Sequence, residues 1–203
     1  MSADAILTEK KELACWIARQ LFERKMGPGT TGNLSFRHED KIYITASGTC
    51  FGRLTPEDFS CVDFNNLSLW DGKKPSKELP LHKIAYELCP EDTAVIHAHS
   101  TYAVLWSCLS HENETDCIPQ YTPYLKMTLG TVGLIPYAKP GSEDLFDQFK
   151  RYAPKSDGWI LKNHGPVVTG STLMKAFGRL EELEENCRIV WELQGKNGNL
   201  IPD

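Results

Sequence analysis

The longest periodic pattern in the chain is the apolar stripe Leu173, Phe177, Leu180, Leu183, Cys187 and Val190, whose spacing puts all of these residues on one face of a helix. A one-sided stripe of this kind is stable only when packed against something else. Ser171 fits as its N-cap and Gly195 as its stop, so a helix is predicted over about 172–194. A second stripe, Leu13, Ile17 and Leu21 with Ala14 and Phe22 alongside, predicts a helix over 6–26 that ends at Gly27-Pro28-Gly29.

Between these stripes the period changes. Asn33 to Arg37, the polar stretch His38-Glu39-Asp40 and the alternating Ile42 and Ile44 read as a hairpin, followed by short strands near 59–64 and 67–70. Leu81, Ile84, Ala85 and Leu88 form a helical face that Pro80 restricts to starting near that residue, which places Ser76-Lys77-Glu78 at the helix entrance. Thr93 to His99 reads as a buried strand, 101–109 as a short helix, and 132–137 and 158–163 as strands separated by a helix near 142–152. With 203 residues, 41% of them apolar, the chain holds one sizeable core, and a single domain over 1–203 is expected.

The net charge of −5 and the lack of any lysine or arginine run argue against nucleic acid and anionic membranes as partners. Residues 1–10 lack a basic start and an apolar stretch, and no later run approaches the roughly 18 apolar residues a membrane span needs, so a cytoplasmic protein is expected. The seven cysteines are scattered and none forms a C-x-x-C pair, which indicates neither a disulfide framework nor a zinc ribbon. Most are expected to be small buried hydrophobes.

His97-Ala98-His99 ends the apolar run Ala94-Val95-Ile96. Strand side chains alternate, so both imidazoles point to one side and can meet one metal. The same pair also fits a half-exposed strand face, and a third ligand decides between the two. Asn163-His164-Gly165-Pro166 offers His164, at the end of the run Trp159-Ile160-Leu161, with a Gly-Pro turn behind it. His38, His82 and His111, in a polar turn, a helix and a loop, read as ordinary histidines. Glu78 alone fits a carboxylate at a helix start. Gly29-Thr30-Thr31-Gly32-Asn33, Thr45-Ala46-Ser47-Gly48 and Pro75-Ser76-Lys77 pair small residues with hydroxyls and amides, as turns do and as a phosphate cradle requires.

Taken in order, Gly32-Asn33-Leu34-Ser35, Thr45-Ala46-Ser47-Gly48, Ser76-Lys77-Glu78, His97-Ala98-His99 and Asn163-His164-Gly165 resemble the class II aldolase/adducin family over nearly the whole chain. The resemblance implies a single three-layer α/β/α domain around a largely antiparallel sheet, assembled as a homotetramer. By position, it makes His97, His99 and His164 the ligands of one Zn²⁺, with Mn²⁺, Co²⁺ and Ni²⁺ also accepted by imidazoles. Glu78 becomes the proton-moving acid that can also ligate the metal, and Thr30, Asn33, Ser47, Gly48 and Ser76 the phosphate binders. Family aldolases have two serines before the acid; here Lys77 takes the second place, where an ammonium can hold phosphate or carboxylate.

Pro75-Ser76-Lys77-Glu78, His99-Ser100-Thr101, Lys139-Pro140-Gly141 and Asn163-His164-Gly165-Pro166-Val167-Val168 look most like the branch that decarboxylates 3-oxo-tetronate 4-phosphate. The implied substrate is a small phosphorylated sugar acid. Loss of CO₂ from a β-keto acid leaves an enediolate whose charge a cation stabilises, and its protonation gives dihydroxyacetone phosphate. A class II sugar-phosphate aldolase reaches the same enediolate by releasing an aldehyde. Tyr124 corresponds to a tyrosine that family aldolases donate across a subunit boundary as an acid, and keeps that reading open. A non-catalytic adducin-like binding module is the third reading, which the retention of all three histidines and Glu78 disfavours.

Overall fold

The computed structural model describes residues 3–202. Eight strands form one sheet: β1 (Asn33–His38), β2 (Lys41–Thr45), β3 (Phe59–Asp63), β4 (Leu69–Asp71), β5 (Ala94–His97), β6 (Val132–Ile135), β7 (Gly158–Leu161) and β8 (Gly165–Gly170). Their order is β4-β3-β2-β1-β5-β8-β7-β6. Every pairing is antiparallel except that of β6 with β7. The largely antiparallel sheet expected from the sequence is therefore present, with one parallel edge.

Six helices accompany the sheet among the described residues: α1 (Ala3–Glu23), α2 (Leu79–Leu88), α3 (Thr101–Ser107), α4 (Tyr124–Thr128), α5 (Glu143–Tyr152) and α6 (Leu173–Leu193). Alternate residues of the same strands feed two different apolar clusters. Ala94, Ile96, Leu134, Ile160 and Val168 pack with Ile17 and Leu21 of α1 and Phe177, Leu180 and Leu183 of α6. Val95, Ile135, Trp159, Leu161 and Val167 pack with Leu81 and Ala85 of α2 and Phe146 and Phe149 of α5. The two helical stripes read from the sequence thus meet the same cluster, and β5, covered in both directions, is buried at every residue.

The element ends differ from expectation for local reasons. Helix α1 stops at Glu23 rather than near residue 26, because Lys25 turns left-handed at φ 63°. That turn lets Met26 N–H reach back to the Leu21 carbonyl at 2.8 Å, so the chain has closed before Gly27. Helix α6 is capped by Thr172, whose hydroxyl accepts from Lys175 N–H at 3.1 Å, not by Ser171. His38 ends β1, paired with Lys41, and the turn of the hairpin is Glu39-Asp40 with Glu39 at φ 54°. Of the cysteines only Cys61, Cys117 and Cys187 are buried, and Cys108 is exposed.

Strand β8 and helix α4 were not legible. Gly165-Pro166 reads as a turn but opens β8, and the turn lies one step earlier, at Lys162-Asn163-His164, with Asn163 at φ 54°. A proline inside a sheet is unusual because it brings no N–H. Pro166 sits between β7 and β5 and contributes its carbonyl, which accepts Ala98 N–H at 3.1 Å. Gly165 makes the approach possible: a Cβ there would lie 2.2 Å from the Ala98 carbonyl oxygen.

Candidate active site

The fold brings three segments to one end of the sheet. His97 is the last residue of β5 and pairs with Asn33 of β1 on one side and Val167 of β8 on the other. His99 follows two residues past the strand, held where its backbone N–H meets the Met26 carbonyl at 3.0 Å. His164 closes the β7–β8 turn, its N–H bonded to the Leu161 carbonyl at 3.1 Å. Glu78 is the N-cap residue of α2, with 4% of its surface exposed.

The imidazoles converge. His97 Nε2 lies 3.2 Å from His99 Nε2 and 3.3 Å from His164 Nε2. Two nitrogens bound to one tetrahedral zinc at ordinary bond lengths are about 3.3 Å apart, so these separations match ligands of a shared ion. The Pro166 carbonyl can only accept, so the 2.9 Å contact from His97 Nδ1 puts the proton on Nδ1 and leaves the Nε2 lone pair facing the centre. His164 Nδ1 is buried without a partner among the described residues, which leaves its tautomer for a metal to set. Glu78 completes the group: Oε2 is 3.5 Å from His97 Nε2 and Oε1 is 3.7 Å from His164 Nε2. The residues present therefore fit a divalent cation.

Electrostatics agree with that role. Burial lowers the pKa of His97, and burial with the neighbouring imidazoles pushes His99 and His164 down to about 4. All three are neutral at physiological pH and able to ligate. Burial works against the Glu78 anion, but the charge that His97 and His164 carry when protonated, with the Asn33 amide, outweighs it and holds the carboxyl below the ordinary carboxylate value.

A cleft of about 200 Å³ opens beside this cluster. Thr30, Asn33, Ser47, Gly48, Ser76, Lys77, Glu78, His99 and His164 all line it, while His97 lies beneath at zero exposure. Ser47 N–H to the Lys74 carbonyl (2.9 Å) and an isolated bridge between Ala46 and Pro75 tie two of the hydroxyl-bearing loops together. Ser76 Oγ accepts from Glu78 N–H at 3.3 Å, which leaves its hydroxyl proton free to donate into the cleft. Lys77 Nζ donates to the Pro140 carbonyl at 3.1 Å and its stem lies over Gly141. The cleft thus presents hydroxyls and an ammonium, which suit an anion, together with imidazoles and a carboxylate, which suit a cation.

Tyr124 is placed elsewhere: it begins α4, is 60% exposed, and lies outside the lining of the cleft. Thr49 lines it without having been named, and Thr31 and Pro140, named only within longer stretches, line it too. His82 was read as ordinary; it is fully buried, its pKa is pushed down to about 3 by burial, and Nε2 is 2.5 Å from Asn33 Oδ1. The signal for it was its position one helical turn past Glu78, the residue at the entrance of α2.

This fold brings three imidazoles and a carboxylate, a set that fits a cation, together beside a cleft lined by hydroxyls and an ammonium. A model of the class II aldolase and adducin N-terminal domain matches residues 12–191, and the chain belongs to that family. It is 38% identical to the 3-oxo-tetronate 4-phosphate decarboxylase of Haemophilus influenzae, over 96% of this chain and 92% of that protein. It is 34% identical to the L-fuculose phosphate aldolase of Methanococcus vannielii, over 85% and 91%. The crystal structure of YgbL from Escherichia coli superposes with a TM-score of 0.92 at 32% identity, covering 97% of this chain and 95% of that one.

Proposed function

We propose that this protein is a zinc-dependent lyase that decarboxylates 3-oxo-tetronate 4-phosphate to dihydroxyacetone phosphate. The observation that carries the reading is the convergence of His97, His99 and His164 beside Glu78, at a cleft that Ser47, Ser76 and Lys77 also line. The similarity to curated decarboxylases over nearly the full chain supports it. The two apolar clusters fit a three-layer α/β/α arrangement in a single domain, which we take to assemble as a homotetramer. A phosphorylated substrate, trapped by its charge inside a cell, and seven unpaired thiols suit the cytoplasm.

Thr30, Asn33, Ser47, Gly48 and Ser76 form the phosphate end of the cleft in this reading. We assign Lys77 to phosphate rather than carboxylate. An ammonium beside the carboxylate would stabilise the ionised ground state more than the transition state leading to neutral CO₂, and so slow the reaction. When bound, a divalent cation supplies electrostatic stabilisation of the negative charge that gathers on the 3-keto oxygen as CO₂ departs. Glu78, ionised at rest and beside the three imidazoles, takes up a proton from solvent and delivers it to C2 as CO₂ departs, or takes the one on the 2-hydroxyl.

The test is to give zinc-loaded protein D- and L-3-oxo-tetronate 4-phosphate separately and follow CO₂ and dihydroxyacetone phosphate. Metal-dependent release of both products is expected, with kcat reduced about 100-fold or more in Glu78→Gln. Full turnover in that variant would remove Glu78 from acid–base chemistry. Cleavage of L-fuculose 1-phosphate with no decarboxylation would instead make the chain an aldolase, and would bring Tyr124 of a neighbouring copy into the mechanism.

A further inference from the structure

Helix α2 carries His82 and Tyr86 four residues apart on one face, with Glu78 at its entrance, and β1 carries Asn33 and Ser35 at an interval of two on one face. The two faces meet in an unbroken buried chain of polar side chains, none more than 5% exposed. Asn33 Nδ2 lies 2.8 Å from Glu78 Oε2, and His82 Nε2 lies 2.5 Å from Asn33 Oδ1. Ser35 Oγ lies 2.7 Å from His82 Nδ1 and 2.8 Å from the Tyr86 hydroxyl.

Every proton in this chain has a determined place. An ionised carboxylate only accepts, so Asn33 must turn its amide nitrogen to Glu78 and its oxygen to His82. That oxygen only accepts, so His82 carries its proton on Nε2 and presents a bare Nδ1. Ser35 therefore donates to Nδ1, and Tyr86 donates to Ser35. All of the bonds run in one direction and end on Glu78, an alignment in which each bond polarises the next.

We propose that His82 is a positioning residue that acts on Glu78 through Asn33. A primary amide can rotate by half a turn and exchange its oxygen and nitrogen; the Nε2–H of His82 holds Asn33 against that rotation. A rotated amide would set its oxygen against the carboxylate of Glu78 and push it away from His97. The proposal rests on the reading of Glu78 as the acid–base group.

The test exploits which half of an imidazole each amide side chain replaces. His82→Gln places an N–H where Nε2 stands and keeps the donor to Asn33. His82→Asn places its amide where Nδ1 stands and keeps only the contact to Ser35. Each variant gives up one of two bonds, so a purely structural role predicts equal losses. The positioning role predicts kcat within about fivefold of wild type for His82→Gln and a fall of about 50-fold or more for His82→Asn. Equal kcat values in the two variants would overturn the proposal. Nitrogen-15 NMR of histidine-labelled wild type reads the tautomer without any turnover and needs no variant to fold: Nε2–H is expected for His82, and Nδ1–H would overturn the lock. A wild type that shows this tautomer but releases no CO₂ would count against the decarboxylase reading instead.

Discussion

An imidazole whose burial outweighs the pull of a nearby carboxylate is held neutral, and its unfolded counterpart takes up a proton near pH 6.5. His82, His99 and His164 all have pKa values lowered on folding, to about 3, 4 and 4. Between those values and 6.5 the unfolded chain binds more protons than the folded one, so stability rises with pH and is lost as pH falls. Each fully shifted group contributes up to about 1.4 kcal/mol per pH unit in that window. Metal-free protein should therefore unfold at progressively lower urea concentration from pH 7 to pH 4, followed by circular dichroism. His82→Gln should show a shallower dependence, and a midpoint unchanged between pH 7 and 5 would contradict these shifts. At the same scale, the H-x-H pair and His164 were readable as ligands because their residue types sit at strand ends. The role of His82 was not readable, because nothing in its own neighbourhood says that Asn33 lies opposite.

At the scale of elements, the β7–β8 hairpin supports the metal site as much as the histidines do. Its Pro166 carbonyl fixes the His97 tautomer, its turn carries His164, and Gly165 lets it close onto the end of β5. Gly165→Ala should force apart two backbones that a Cβ would bring to 2.2 Å. The expected loss is about 2 kcal/mol or more in denaturant unfolding, with weakened metal retention. Wild-type metal content and stability in this variant would show that the hairpin can shift without cost. A second brace is Glu184 of α6, whose carboxylate accepts Tyr102 N–H at 2.8 Å and Ala103 N–H at 2.9 Å and so caps α3, the helix that follows His99. Both braces join segments distant in sequence. The helix periods of α1 and α6 could be read from the chain itself, whereas β8 opens with Gly-Pro and imitates a turn.

For the whole molecule, a bound cation would join the end of β5, the β7–β8 turn and the entrance of α2, segments packed around one sheet. Binding only to the folded state stabilises it by mass action, by about 2.7 kcal/mol at a free concentration one hundred times Kd. For a chain of this size that corresponds to a rise in Tm of roughly 5–10 °C. Chelator should lower the thermal midpoint by that amount and zinc should restore it, as read by scanning calorimetry, while His97→Ala should be indifferent to both. An equal response in His97→Ala would place the stabilising metal somewhere other than the three histidines.

The sequence by itself determined the residue types of the site and the elements that carry their own period. Histidines able to ligate a metal, a helix-entrance carboxylate and small hydroxyl loops are chemical facts of single residues and short spacings, and an amphipathic helix records its buried face every three to four positions. Tertiary structure alone decided the rest: that His97 and His164 meet although 67 residues separate them, that a Gly-Pro step continues as a central strand, and that a histidine on α2 closes a chain of hydrogen bonds to Glu78. Those outcomes depend on which strand lies beside which. Strand pairing is fixed by long-range burial and backbone hydrogen bonding, and no local pattern encodes it.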